Sequence, residues 1–189
     1  PLIVSGSGAA STAVLQAAAN VAWALHKSND KTALALSLPE ANSFGLALLD
    51  PQPLDAALER LTAGSVGTLV VLENDLYRRA PKARVDAALL AVKNLVVVDH
   101  QATPTTARAS LVLPAATVFE SDGTLVNYEG RAQRHFQVFD PTYYDSKIEL
   151  TESWRWLSSL AGSGWKIVDE LTQACATAIP ALAGIVAAA

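Results

Sequence analysis

The chain has 189 residues, enough for one well-cored domain or one domain with an appended piece. Apolar residues make up 51% of it, which excludes a disordered chain, and a net charge of −4 argues against a nucleic-acid partner, which needs a basic face to neutralise phosphates. No uninterrupted apolar run approaches the roughly 20 residues that cross a bilayer, so no membrane-spanning helix is expected.

In chain order, residues 2–5 read as a short strand, and Gly6-Ser7-Gly8 turns the chain into a helix over about 9–27. That helix is rich in Ala and Leu, which are strong helix formers, and Val14, Ala17, Val21 and Leu25 share one face at helical spacing. Ser28-Asn29-Asp30 ends it; residues 31–38 read as a second strand, stopped by Pro39. Residues 40–50 are ambiguous, and Pro51-Gln52-Pro53 is a clear break. A short helix is predicted over 54–62, with Asp50 in its cap region, followed by a buried strand over 68–72. Pro81 suits the first turn of a helix reaching Val92, since its missing N–H is harmless there. Leu95-Val96-Val97-Val98 is a further buried strand. Successive strands joined by helical crossovers predict an α/β fold: a mainly parallel, doubly wound, Rossmann-like sheet with helices on both faces.

The alternation stops after residue 110. Residues 111–137 read as short extended pieces joined by turns at Asp122-Gly123 and Glu129-Gly130, and Asp140-Pro141 begins a Tyr-containing loop. Two helices are expected over 151–161 and 165–178, separated by Gly162-Ser163-Gly164, and the Ala-rich tail reads as a truncated helical linker. The expected division is an α/β domain over 1–150 and a helical segment over 151–189 that packs on it or leads to a next domain. The absence of Met and the start at Pro1, already next to a strand, suggest a piece of a longer protein, and nothing in the sequence leads one to expect secretion.

One cysteine, Cys175, and three separated histidines, His26, His100 and His135, bound the metal chemistry. Iron–sulfur clusters take about four thiolates and structural zinc a comparable set, so neither is built from this chain alone. A disulfide within the chain is impossible, which fits a reducing compartment, and Cys175 reads as an inert core thiol in an Ala-rich helix.

Several constellations invite a functional reading. Gly6-Ser7-Gly8 stands where a dinucleotide fingerprint would, with Ser11 at the third glycine position and Asp30 as the candidate acid. Asp30, however, precedes the second strand instead of following it, so a tight turn is the better reading. Asp99-His100 at a strand end resembles an acid–base pair, but no nucleophile motif accompanies it. Thr103, Thr105, Thr106 and Arg108 bring hydroxyls and a cation to the crevice outside the strand ends, where open α/β sheets bind ligands. Glu120, Asn127, Glu129 and Arg131 read as side chains tying successive turns, with Arg131 able to fork onto a carboxylate. Arg78-Arg79, Lys82 and Arg84 read as a solvated helix start, and Trp154, Trp156 and Trp165 as helix-packing residues.

The order of these pieces resembles a known family. Thr103, Thr105, Thr106, Leu111 to Thr117, Glu120, Gly123-Thr124, Asn127, Glu129-Gly130-Arg131 and Gln133 follow the pattern of the molybdopterin oxidoreductase superfamily. Within it they are most similar to the branch formed by the large iron–sulfur subunits of bacterial respiratory complex I, the NADH:quinone oxidoreductases. The strand–helix alternation before residue 95 and the Trp-containing helix extend the resemblance over most of the chain. In cofactor-bearing relatives the Thr-rich region helps hold a pterin dinucleotide. This chain has Ser110 where the family usually has Asp before its VVLP segment, and the complex I branch keeps the fold without the molybdenum cofactor.

The resemblance therefore implies a part of a complex I large subunit that scaffolds without a redox centre of its own. Thr103, Thr105, Thr106, Arg108 and Asn127 become loop-capping groups of a vestigial pterin pocket, and no catalytic or metal-binding residue is expected. The parent complex would carry iron–sulfur clusters and FMN and move electrons from NADH to quinone. The expected partners are other hydrophilic-arm subunits and the upstream iron–sulfur domains of the same chain, at the cytoplasmic side of the bacterial inner membrane. The rival readings are part of a true molybdopterin enzyme and a free-standing dinucleotide-binding module.

Overall fold

The computed structural model describes residues 1–9 and 11–188. Ala10, within the predicted first helix, and Ala189, at the end of the predicted linker, lie outside the described residues. The chain opens with β1 (Leu2–Gly6), a 3-10 turn, α1 (Thr12–His26) and β2 (Ala33–Ser37). Ser11 starts α1 by accepting a hydrogen bond from the Val14 N–H at 3.4 Å, a capping role for which a hydroxyl is preferred. The ambiguous stretch contains a short helix, α2 (Ser43–Leu48). Then come α3 (Leu54–Thr62), β3 (Thr68–Leu72), α4 (Lys82–Ala91) and β4 (Asn94–Asp99).

β5 (Leu111–Pro114) runs parallel to β4, and an antiparallel hairpin follows, β6 (Gly123–Val126) with β7 (Ala132–His135). The last two helices are α5 (Ser153–Ala161) and α6 (Val168–Ala178), after which two 3-10 turns occupy the expected linker. Gly162, at φ +67°, ends α5 in the left-handed conformation that glycine adopts most readily.

The α/β class and the parallel strand pairing are as expected. In detail the parallel strands fall into two sheets, β1–β2 and β3–β4–β5, and the hairpin forms a third. The core sits over the three-stranded sheet. Val71, Leu76, Val85, Leu89, Leu95 and Val97 form one cluster, and Leu58, Leu61 and Ala88 continue it between α3 and α4. Each fully buried aliphatic side chain there contributes roughly 1.5–3 kcal/mol.

Three local expectations change. On α1 the covered residues are Leu15, Ala18, Ala19 and Ala22, while Val14, Ala17, Val21 and Leu25 face outward. Both sets have helical spacing, so periodicity alone did not separate them. Asp50 does not cap α3: Pro53 holds that position, and Asp50 instead turns the chain at φ +50°. Trp165 precedes α6, which starts at Val168 because the Glu170 carboxylate accepts from the Ile167 N–H in its first turn.

Residues beyond 150 are tied to the sheet. Ala115 bridges Thr151, the Trp156 indole N–H donates to the Pro114 carbonyl at 2.8 Å, and the Asp122 N–H donates to Glu152 at 3.2 Å.

Candidate functional site

The carboxyl ends of β3, β4 and β5 carry the densest polar structure. At the end of β3, Glu73 has φ +44°, a conformation that costs about 1–2 kcal/mol for a residue with a Cβ. Its N–H reaches the Val98 carbonyl at 2.7 Å, and its carboxylate accepts from the Ser153 hydroxyl at the start of α5. Two residues on, Asp75 begins a 3-10 turn by accepting from the Tyr77 N–H at 3.3 Å.

Asp75 also meets the Thr-rich loop. Thr105 is fully buried, and its hydroxyl donates to Asp75 Oδ1 at 2.7 Å while accepting from the Leu76 N–H at 2.9 Å. Both hydrogen-bonding roles of this hydroxyl therefore serve to clasp the loop after β3 to the loop after β4. Thr103 and Thr106 pair with each other. The Thr103 N–H donates to Thr106 Oγ1 at 2.7 Å, the Thr106 N–H donates to Thr103 Oγ1 at 3.1 Å, and the Thr106 hydroxyl donates to the Thr103 carbonyl at 2.9 Å.

Arg108 points its guanidinium toward Asp86, with Nη1 at 3.4 Å from Oδ1. Asp86 also accepts from the Tyr77 hydroxyl at 2.7 Å and from Lys82. The Lys82 hydrogen bond, followed by that from Tyr77, holds the Asp86 carboxyl below the ordinary carboxylate range. Tyr77 titrates above the ordinary phenol value, through burial first and then its bond to Asp86.

Asn127 lies elsewhere, in the β6–β7 turn. Its Oδ1 accepts from the Glu129 N–H at 3.0 Å and the Arg131 N–H at 2.9 Å, and Gly130 completes the turn at φ +79°. With Tyr128 it lines a groove of about 390 Å³ that also contains Val4, Ala35 and Glu40. None of the Thr-loop residues lines that groove, so the candidates form two separate groups.

Asp99, His100 and Glu120 have defined partners. Asp99 is buried and accepts from the Gln101 N–H at 3.0 Å, with His100 Nδ1 at 3.7 Å from the same oxygen. Glu120 accepts from the Thr117 N–H at 2.8 Å. Arg131 forms no ion pair among the described residues. Its expected role belongs to Arg134, which joins Asp122, just before β6, to Asp169 on α6. Position explains the exchange, because Arg131 sits in the exposed turn whereas Arg134 lies within β7. In the basic group, Arg79 pairs with Glu40, Lys82 with Asp86 and Arg84 with Asp55.

Gly6 owes its identity to close packing: a Cβ there would lie 2.4 Å from the Ser37 carbonyl oxygen. Asp30 lies in the exposed turn before β2, away from that strand's carboxyl end. Cys175 is half-buried at a cavity of about 240 Å³ beside Trp154 and Leu171, and burial raises its thiol pKa, which keeps it protonated. No group of three or more His, Cys, Asp or Glu among the described residues is arranged to hold a metal ion.

The family model for molybdopterin oxidoreductase matches residues 1–160. The chain belongs to the molybdopterin oxidoreductase family. It is 52% identical over 195 residues to the G subunit of NADH-quinone oxidoreductase from Pseudomonas putida, a match covering 100% of this chain and 22% of the relative. The corresponding protein of Shewanella oneidensis is 51% identical over 197 residues, with 100% of this chain and 22% of the relative covered. That of Escherichia coli K12 is 48% identical over 191 residues, covering 98% of this chain and 21% of the relative. The chain thus spans about a fifth of the length of the curated relatives it matches. These matches bear out the resemblance carried by residues 103–133.

Ser110, standing where the family usually has Asp, accepts from the Leu95 N–H at 3.2 Å and donates its own N–H to the Leu95 carbonyl at 2.8 Å. Sequence reasoning missed Glu73, Asp75, Asp86 and Arg134. The run Glu73-Asn74-Asp75 directly after a buried strand was a usable signal, of the same kind as Asp99-His100. No helix among the described residues is long and apolar enough to cross a membrane.

Proposed function

We propose that this chain is a scaffolding part of a complex I large subunit and holds no redox centre of its own. The parent assembly transfers electrons from NADH to quinone through FMN and iron–sulfur clusters carried outside residues 1–189. On this reading residues 1–150 form the α/β domain and residues 151–189 a helical segment packed on it. The partners are other hydrophilic-arm subunits and the cluster-bearing domains of the same polypeptide, at the cytoplasmic face of the inner membrane.

The observation that carries the reading is the hydrogen bonding of the Thr-rich loop. A pterin dinucleotide needs free hydroxyls, amides and a cation facing one crevice. Here Thr105 clasps Asp75 and Leu76, Thr103 and Thr106 bond each other, and Arg108 faces Asp86. Asn127 closes its own turn beside a different groove. The residues do not fit the cofactor, since binding it would break a mutually satisfied network centred on the buried Thr105, and a buried polar group left unpaired costs about 1–3 kcal/mol. The single cysteine likewise falls short of the roughly four thiolates of an iron–sulfur cluster.

Metal and pterin analysis of the purified full-length polypeptide tests this. The expected result is no stoichiometric molybdenum or tungsten and no extractable pterin. One equivalent of either metal would overturn the scaffold reading and return the Thr loop to cofactor binding.

A further inference from the structure

The helix α1, TAVLQAAANVAWALH, contains no Asp, Glu, Lys or Arg. At 3.6 residues per turn, the positions from Ala17 round to Ala19 form an apolar sector of about 200° of the circumference, broken only by His26 in the last turn. One part of that sector, Leu15, Ala18, Ala19 and Ala22, is at least half-buried, and α1 packs on β1 and β2. The adjoining part, Val14, Ala17, Val21 and Leu25, is exposed: Val14 by 47% and Val21 by 50%. The polar side lies across the helix, where Gln16 bonds Asn20 at 3.1 Å and the Lys27 ammonium sits 3.8 Å from the Trp23 ring centre.

A helix apolar over so wide a sector belongs in an interior. The sheet beneath it agrees, because β1 and β2 form a two-stranded parallel pair, and parallel sheets are covered on both faces. Uncharged aliphatic surface of this kind resembles a core cut in two, the composition of permanent contacts, whereas transient interfaces are more polar. The matched segment is 22% of the first relative, so most of that polypeptide lies outside it and is available as the other half of the core.

We propose that the Val14–Ala17–Val21–Leu25 face of α1 is a permanent interface covered by an apolar segment of the same polypeptide outside residues 1–189. The proposal rests on the reading of this chain as one part of a larger subunit. It commits to an intrachain occupant, as distinct from a neighbouring subunit or a second copy.

The test uses the full-length polypeptide in its native complex, with p-benzoylphenylalanine placed at Val21 and, as a control on the polar side, at Gln16. After irradiation, digestion and mass spectrometry, the Val21 probe is expected to join a peptide of the same polypeptide from outside residues 1–189, while the Gln16 probe does not. An adduct with another subunit, an adduct with a second copy, or no adduct would each overturn the proposal. In the same full-length protein, Val21→Lys is expected to raise the rate of proteolytic cleavage within α1 several-fold, and Gln16→Lys to leave it unchanged; equal rates would count against the interface. The metal analysis above is independent of α1, so a molybdenum-loaded protein with an intrachain adduct would remove the scaffold reading and leave this interface standing.

Discussion

The two parallel β-units of this molecule are built from similar local elements and reach different degrees of closure. In the β3–β4–β5 unit, Val85, Ala88, Val97 and Val98 are fully buried and Leu58 is 2% exposed. In the β1–α1–β2 unit Ala22 is the one buried apolar residue among those described, while Leu2 and Val4 on the strand are 62% and 67% exposed. Both units run in aliphatic residues, although β2 (ALALS) has no β-branched residue while β3 and β4 are rich in Val. The first unit has α3 and α4 packed together over one face, with Leu58, Leu61 and Ala88 filling the seam. The second has a single helix whose inward side is mostly alanine, too short to fill a core on its own. A βαβ pattern therefore specifies pairing and direction, whereas closure depends on how many layers lie over the sheet.

Paired truncations give the largest contrast between the units. Leu58→Ala removes a buried side chain from the α3–α4 seam and is expected to destabilise the chain by about 2–5 kcal/mol. Val4→Ala in β1 is expected to change stability by less than about 0.5 kcal/mol, the range of exposed positions. Urea denaturation of both variants checks this, and equal shifts would mean that β1 is covered in solution.

The next effect lies at the loop clasp that distinguishes the closed unit. Thr105→Val keeps the side-chain shape, removes the donor to Asp75 and leaves the buried Leu76 N–H unpaired, at an expected loss of about 1–3 kcal/mol. On the proposed scaffold reading, the same variant is expected to assemble into the parent complex with unchanged turnover. A loss of turnover with unchanged stability would make Thr105 a ligand-facing residue instead.

The closed unit was also the more legible one in sequence. The α3 and β3 boundaries at 54–62 and 68–72 match the structure because Pro53 and Gly67 punctuate strong local patterns. The partition into two sheets was not legible, since alternation of strands and helices says nothing about which strands become neighbours. The choice between the Val14 and Leu15 faces of α1 was hidden by an apolar sector wide enough to offer both. At the site, the Thr loop was found from its polarity after a buried strand. Its partners, Asp75 some 30 residues earlier and Asp86 on α4, become neighbours of that loop only through the β3–β4 pairing. Arg131 and Arg134 carry the same chemistry, and only the hairpin geometry selects between them.

The smallest expected effect is a pH dependence confined to the closed unit. Asp86 accepts hydrogen bonds from Lys82 and Tyr77, which depress its folded pKa relative to an unfolded carboxyl near about 3.9. A depressed carboxyl contributes stability that is fully present above the unfolded value and lost as pH falls through the folded one. Asp86→Asn is therefore expected to lower stability slightly at neutral pH and to flatten its decline below about pH 4, where wild type loses the contribution. Melting temperatures of both proteins between about pH 2 and 7 read this directly, and the two curves should converge at the acid end. Because the carboxylate is at the surface, added salt should shrink the difference, as it does for other exposed ion pairs. Parallel curves at all pH values would mean that Lys82 and Tyr77 meet Asp86 too loosely in solution to favour its charge, and the closed unit would then owe its stability to aliphatic packing and the Thr105 clasp alone.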